Sequence, residues 1–205
     1  MPAAQLPNQS MPSQRPVQRS GVAGFFFDVL ETVVISMAIL LVVYIFIVQP
    51  HQVDGHSMDP TLQDREYLLT SKLSYRFGLP QRGDIVVFHA PQVACPSYGL
   101  GNCDFIKRVI AFPGEKIALI DGVFHINDEP LIEDYLPEGT VTESSYLAAG
   151  REVVLGEDEF FVAGDNRVHS SDSRVWGPIK RNAIVGRVFF SYWPMETFGP
   201  VVRGQ

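Results

Sequence analysis

Lysine is scarce: the 205 residues hold four, Lys72, Lys107, Lys116 and Lys180. Any search for a catalytic amine is therefore short. The formal net charge is −7, and phosphate binding needs a concentrated basic surface, so no nucleic-acid partner is expected. Cysteine is limited to Cys95 and Cys103. Two thiols at that spacing lack the second ligand pair a zinc site requires. The five histidines, His51, His56, His89, His125 and His169, show no metal-ligand spacing such as His-x-x-x-His. They read as surface or loop residues, and no metal or cofactor is expected. No internal repeat is evident.

What the chain does have is one long apolar run. Residues 1–23 are rich in Pro, Gln and Ser, contain almost nothing to bury, and read as a disordered tail. Residues 24–48 read as a transmembrane helix. Asp28, Glu31, Thr32, Ser36 and Tyr44 interrupt it, and residues 33–48 carry no charge. At about 1.5 Å per residue, such a helix covers a hydrocarbon core of about 30 Å. A buried core helix is the competing reading, but the segment is apolar all round. A cleavable signal peptide is another, but Gln49-Pro50-His51-Gln52 offers no small-residue cleavage site. Arg15 and Arg19 bias the N-terminus toward the cytoplasm, which places everything after residue 50 outside. In such a compartment Cys95 and Cys103 either form a disulfide, worth about 2–3 kcal/mol by loop entropy, or remain free thiols.

Beyond the anchor the pattern changes to short β-type runs bounded by Gly and Pro. Residues 66–73, 84–88, 105–112 and 116–120 are of this kind, and 160–163 and 183–193 read as closing strands. Asp121-Gly122 and Asn127-Asp128 flank residues 123–126 as hairpin turn pairs. Short strands without long amphipathic helices define a mainly β class with a largely antiparallel sheet. The extracytoplasmic domain spans 49–205, with residues 116–158 as a small accessory subdomain.

Three stretches carry chemistry. In Gly55-His56-Ser57-Met58-Asp59-Pro60-Thr61-Leu62, Pro60 biases Asp59 away from helical geometry and leaves Ser57 in an extended-to-turn segment. Turns favour serine for ordinary reasons, so this stretch alone assigns no role. A serine hydroxyl becomes a nucleophile only when a base removes its proton. No histidine sits in a triad context, which leaves a neutral lysine, one of the known variants. Such a lysine must be desolvated. A two-residue period puts Phe105, Lys107, Val109 and Ala111 on one strand face and Ile106, Arg108, Ile110 and Phe112 on the other. Lys107 therefore has apolar neighbours, whereas Lys116 and Lys180 look solvated. A Lys107 that snorkels to a sheet edge is the bland alternative. The third stretch, residues 164–177, is crowded with short polar side chains that favour a rigid, self-bonded loop. Asp165, Asp172, Arg167 and Arg174 are placed to pair within it, and Ser170 to orient a lysine amine.

Taken in order, the anchor, residues 55–62, Arg82-Gly83-Asp84-Ile85-Val86-Val87-Phe88, Lys107-Arg108-Val109-Ile110-Ala111-Phe112-Pro113-Gly114-Glu115 and the 164–177 loop resemble bacterial type I signal peptidase. That family comprises Ser/Lys membrane-bound proteases that remove signal peptides from exported preproteins. The resemblance implies Ser57 as nucleophile, Lys107 as general base and Ser170 as the lysine-orienting serine, with Asp165, Asp172 and Arg174 bracing the site. It also implies shallow apolar subsites for small side chains, lined by Val53, Met58, Leu62, Phe105 and Ile106. A coiled, antiparallel β domain resting on the bilayer of the inner membrane is the implied fold and location. Some members carry a serine where this chain has Gly55, which leaves the second oxyanion donor open. A self-cleaving repressor shares the chemistry but not the anchor. A non-catalytic tethered β domain is the remaining alternative, and it predicts Ser57 and Lys107 more than about 5 Å apart.

Overall fold

The computed structural model describes residues 21–76, 78–95 and 103–204. The expected tail lies outside the described residues as far as residue 20. Two compact units divide between Leu41 and Val42.

Helix α1 (Val22–Phe46) is the apolar run. From Val22 to Tyr44 it is long and apolar enough to cross a membrane, and none of its most apolar window is buried. It ends two residues before the expected boundary at 48. Val48 instead opens strand β1 (Val48–Gln52), whose antiparallel partner is β2 (Tyr67–Ser71). Pro50 supplies the physical reason, because it lacks an N–H and disfavours helical geometry at Gln49.

The remaining strands are β3 (Ile85–His89), β4 (Asp104–Ala111), β5 (Lys116–Ile120), β6 (Val123–Ile126), β7 (Glu129–Pro130), β8 (Val153–Val154), β9 (Glu159–Ala163), β10 (Ile179–Lys180), β11 (Ile184–Trp193) and β12 (Gly199–Pro200). One sheet runs β1-β2-β11-β3-β4-β9-β10, with β12 paired to β11. A second sheet, β7-β6-β5-β8, falls within residues 116–158. Every pairing is antiparallel. The β5–β6 turn at Asp121-Gly122 has φ of +49° and +79°, and the β6–β7 turn at Asn127-Asp128 has +51° and +73°. Positive φ at both central residues is what a two-residue type I′ hairpin requires.

The central strands are covered on both faces. Along β3, Ile85 and Val87 join Val53, Met58, Leu62, Leu68 and Val188 on one side. Val86 and Phe88 join Val109, Phe160, Val162 and Ile179 on the other. Each such large side chain contributes about 1.5–3 kcal/mol by leaving water. On β4, Ile106 packs with the first group, while Phe105 and Val109 pack with the second, as a two-residue period dictates. The period breaks after Val109, where a register shift against β9 sends Ala111 into the same cluster as Ile110. A bulge, invisible in the hydrophobic pattern, does this.

Candidate active site

Strand β4 carries Lys107 in register with Val86 of β3, so the amine stem runs across a buried sheet. Only 4% of the residue is exposed. Ser57 arrives from the turn after β1, where Val53 N–H bonds to Glu66 and Leu62 N–H to Met58. The two side chains meet with Lys107 Nζ 2.7 Å from Ser57 Oγ, well inside the 5 Å limit set above. Lys107 Nζ also donates to the Ile106 carbonyl at 2.9 Å and lies 5.2 Å from the Phe105 ring centre.

Burial is the main force on this amine. It pushes the Lys107 pKa down to about 8; the Asp172 carboxylate opposes the shift, Arg174 reinforces it, and Asp165 opposes it. A group with that value is substantially neutral at mildly alkaline pH and can accept the serine proton.

The 164–177 loop supports the pair from behind. Asp172 Oδ2 accepts from Ser170 Oγ at 2.6 Å, from Gly164 N–H at 2.8 Å and from Arg174 Nη2 at 2.7 Å. Burial acts to raise the Asp172 carboxyl, but these bonds outweigh it and hold it below the usual carboxylate range. The Ser170 proton is thereby directed at Asp172 and not at the lysine. Gly164 is where this loop touches the turn. A Cβ there would lie 2.2 Å from Ser170 Oγ and 2.4 Å from the Ser57 carbonyl oxygen, so any side chain at 164 displaces both.

Two expectations about this loop change. Asp165 does not pair within it. Both its oxygens are taken by Arg108 of β4, at 2.8 and 2.7 Å, and Arg108 also bonds the Gly83 carbonyl at 2.9 Å. Arg167 likewise reaches out, to Glu133 and Thr142, and only Asp172 and Arg174 pair internally. The loop also contains a one-turn helix, α2 (Ser173–Trp176), capped by Asp172, which accepts from Arg174 N–H. The cap residue and the following Gly177 at φ +88° were the available signals.

A cleft of about 310 Å³ opens beside Ser57, walled by Val53, Met58, Phe105, Ile106 and Lys107, with His56 and His169 at its mouth. Leu62 is not part of this wall. Its N–H bonds back to Met58 and its side chain is 1% exposed in the core cluster beneath, so it supports the wall from below. Gly55 also belongs to the cleft, with φ +95° and open space where a side chain would stand. His51 departs from its expected surface position: it lies in β1, largely buried, with Nδ1 3.0 Å from Thr70 Oγ1. Cys95 and Cys103 are joined in a disulfide. Asn166 had no assigned role from sequence, yet its side chain reaches the His56 carbonyl at 2.9 Å. Its place in the crowded polar loop was the only hint.

A hydroxyl in contact with a buried, pKa-lowered lysine, with no histidine bonded to either, is the constellation that a Ser/Lys hydrolase requires. The family model for signal peptidase, peptidase S26, matches residues 26–193. A protein of Synechocystis sp. described as probable signal peptidase I-1 is 35% identical over 176 residues, covering 85% of this chain and 86% of its own. Signal peptidase I of Leptolyngbya laminosa is 33% identical over 191 residues, covering 93% and 91%. Signal peptidase IB of Staphylococcus aureus is 34% identical over 179 residues, covering 82% and 89%. A crystal structure of signal peptidase I from Enterococcus faecalis V583 aligns with a TM-score of 0.42 at 27% identity, over 54% of this chain and 97% of that one. The chain belongs to the signal peptidase family, peptidase S26.

Proposed function

We propose that this chain is a membrane-anchored serine endopeptidase that cleaves signal peptides from exported preproteins, with Ser57 as nucleophile and Lys107 as general base. The observation that carries the assignment of these residues is the 2.7 Å contact between Ser57 Oγ and an amine whose pKa burial lowers to about 8. Neutral Lys107 takes the Ser57 proton as Oγ attacks the scissile carbonyl. The resulting ammonium returns that proton to the leaving amine, giving an acyl-enzyme. Lys107 then deprotonates a water, which hydrolyses the ester and regenerates Ser57. Backbone N–H donors stabilise the oxyanion of each tetrahedral intermediate. Asp165, Asp172 and Arg174 hold the loop against the turn. The lysine-orienting role of Ser170 follows from the family resemblance; its hydroxyl donates to Asp172, and the bonds of Lys107 Nζ among the described residues go to Ser57 and Ile106.

Helix α1 is the single membrane span, with the N-terminus cytoplasmic and the catalytic domain on the outer face of the inner membrane. Arg15 and Arg19 support that orientation, and so does the Cys95–Cys103 bond, since disulfides persist in oxidising compartments. Trp193, Met195 and Phe198 are large and exposed, a surface suited to the lipid interface. Phe46 closes α1 eleven residues before Ser57, so the connection between the span and the nucleophile is short, which favours substrates held at the membrane.

Val53, Met58, Phe105 and Ile106 form the shallow subsites, and these are suited to small side chains at the first and third residues before the cut. An Ala-x-Ala preprotein is expected to be processed about 30-fold or more faster than a Phe-x-Phe variant, measured as kcat/KM. The expectation rests on overpacking, which costs about 1–3 kcal/mol at each of two sites. Equal rates for the two substrates would contradict the subsite assignment.

A further inference from the structure

A trans peptide unit is planar, with its C=O and N–H pointing in opposite directions, so fixing one fixes the other. The peptide between His56 and Ser57 is tied in this way. Its carbonyl accepts from Asn166 Nδ2 at 2.9 Å and from the Asp59 N–H at 3.3 Å. The next carbonyl, that of Ser57, accepts from the Asn166 backbone N–H at 3.1 Å. One residue therefore grips both peptide units that flank the serine. The Ser57 N–H belongs to the first of these units and donates to no acceptor among the described residues.

We propose that Asn166 is a positioning residue that holds the His56–Ser57 peptide so that the Ser57 N–H is turned toward the oxyanion; this rests on Ser57 being the nucleophile. The local chain needs such a tie. Gly55, at φ +95°, gives the segment a bend whose own tie is a single bond, from its N–H to Asp64 Oδ1 at 2.8 Å, and it contributes no side-chain donor of its own. Asn166 is itself held. The His169 N–H donates at 3.2 Å both to its carbonyl and to its Oδ1, and its neighbour Asp165 is bound at both oxygens by buried Arg108. The side chain thus presents Nδ2 to the His56 carbonyl from a fixed frame, and a donor fixed before reaction costs no reorganisation when charge develops.

The test uses the full chain and two variants. Asn166→Asp keeps the volume, the backbone N–H and the acceptor for His169, but turns the Nδ2 donor into an acceptor facing the His56 carbonyl. Asn166→Ala removes the side chain without adding charge. Each is assayed for kcat and KM on an Ala-x-Ala peptide, for melting temperature, and for affinity toward the matching peptide aldehyde. In that adduct Ser57 Oγ bonds the aldehyde carbon and its proton passes to Lys107, leaving an oxyanion without a leaving group. Deleting one oxyanion donor outright costs about 10²–10³ in rate, and loosening one costs less. Both variants are therefore expected to lose about 10–10²-fold in kcat and a similar factor in aldehyde affinity. KM should stay within about twofold and the melting temperature should be unmoved. The alkaline activity limb should be unmoved in Asn166→Ala and shifted to higher pH in Asn166→Asp, whose added carboxylate stabilises the Lys107 ammonium. Unchanged kcat and aldehyde affinity in both variants would overturn the proposal. So would a rise in KM alone, which would make Asn166 a substrate contact, or a loss of activity that tracks a loss of thermal stability. Full activity of Ser57→Ala would remove the nucleophile reading itself, and the proposal with it.

Discussion

Ser57→Ala is expected to lower kcat/KM for preprotein cleavage by on the order of 10⁴–10⁶-fold, because removing the nucleophile of a covalent hydrolase leaves only binding and oxyanion stabilisation. The fold should survive. Ser57 sits in a turn, its Oγ contributes no packing to the core clusters, and Lys107 keeps its bond to the Ile106 carbonyl. Val53, Met58 and Leu62, which anchor the turn, are untouched. The variant should therefore melt within a few degrees of wild type and still bind substrate peptide. Residual turnover within tenfold of wild type would take Ser57 out of the mechanism and return the chain to the reading of a tethered, non-catalytic domain.

Lys107→Met should be equally inactive yet no less stable at neutral pH. Methionine keeps the length and volume of the stem and removes the ionisation. The sign follows from the two pKa values. Unfolded, the lysine titrates at about 10.5; folded, burial lowers it to about 8. Between those values the unfolded chain holds the extra proton, so wild-type stability falls as the pH drops from about 10.5 to 8. The cost is complete below 8 and absent above 10.5. Its size is about 3 kcal/mol at 1.36 kcal/mol per pH unit. Losing the hydrogen bonds to Ser57 and Ile106 offsets roughly 1 kcal/mol for each. Denaturant titrations should accordingly show the variant at least as stable as wild type at pH 7, with its advantage gone by pH 10.5. An active variant would exclude Lys107 as the base. An inactive variant that is clearly less stable at pH 7 would make the lysine a charged structural residue.

Local features were the legible ones. The type I′ turns at Asp121-Gly122 and Asn127-Asp128, the apolar helix and the alternation along β3 each follow from a few adjacent residues. Lys107 was legible for the same reason, since Phe105 and Val109 flank it on its own strand face. What brings it to Ser57 is not local. The two are 50 residues apart in sequence and meet only because β4 pairs with β3 and the turn packs on that sheet through Val53, Met58 and Leu62. Elimination among the four lysines put Lys107 forward as a base, and the resemblance paired it with Ser57. The supports were less legible still. Asp165 was expected to bond within its loop, but Arg108, 57 residues away, offers a planar, buried, bidentate partner. The loop's own Arg174 and Arg167 are taken by Asp172 and Glu133. Asn166 meets His56 across 110 residues, and nothing in its neighbourhood marks it out among other short polar side chains. The bulge after Val109 arises from pairing with a partner strand, information that a hydrophobic period does not carry, whereas the early end of α1 was legible in Pro50.

The central claim is that a lysine with a folded pKa near 8 is the base. The dependence of kcat/KM on pH, for cleavage of an Ala-x-Ala preprotein by the full chain, tests it most directly. Activity is expected to rise along a single limb with a midpoint close to 8 and to level off above it, because only the neutral amine accepts the Ser57 proton. A midpoint near 6.5, as a histidine base would give, or a flat profile between pH 6 and 9, would contradict it.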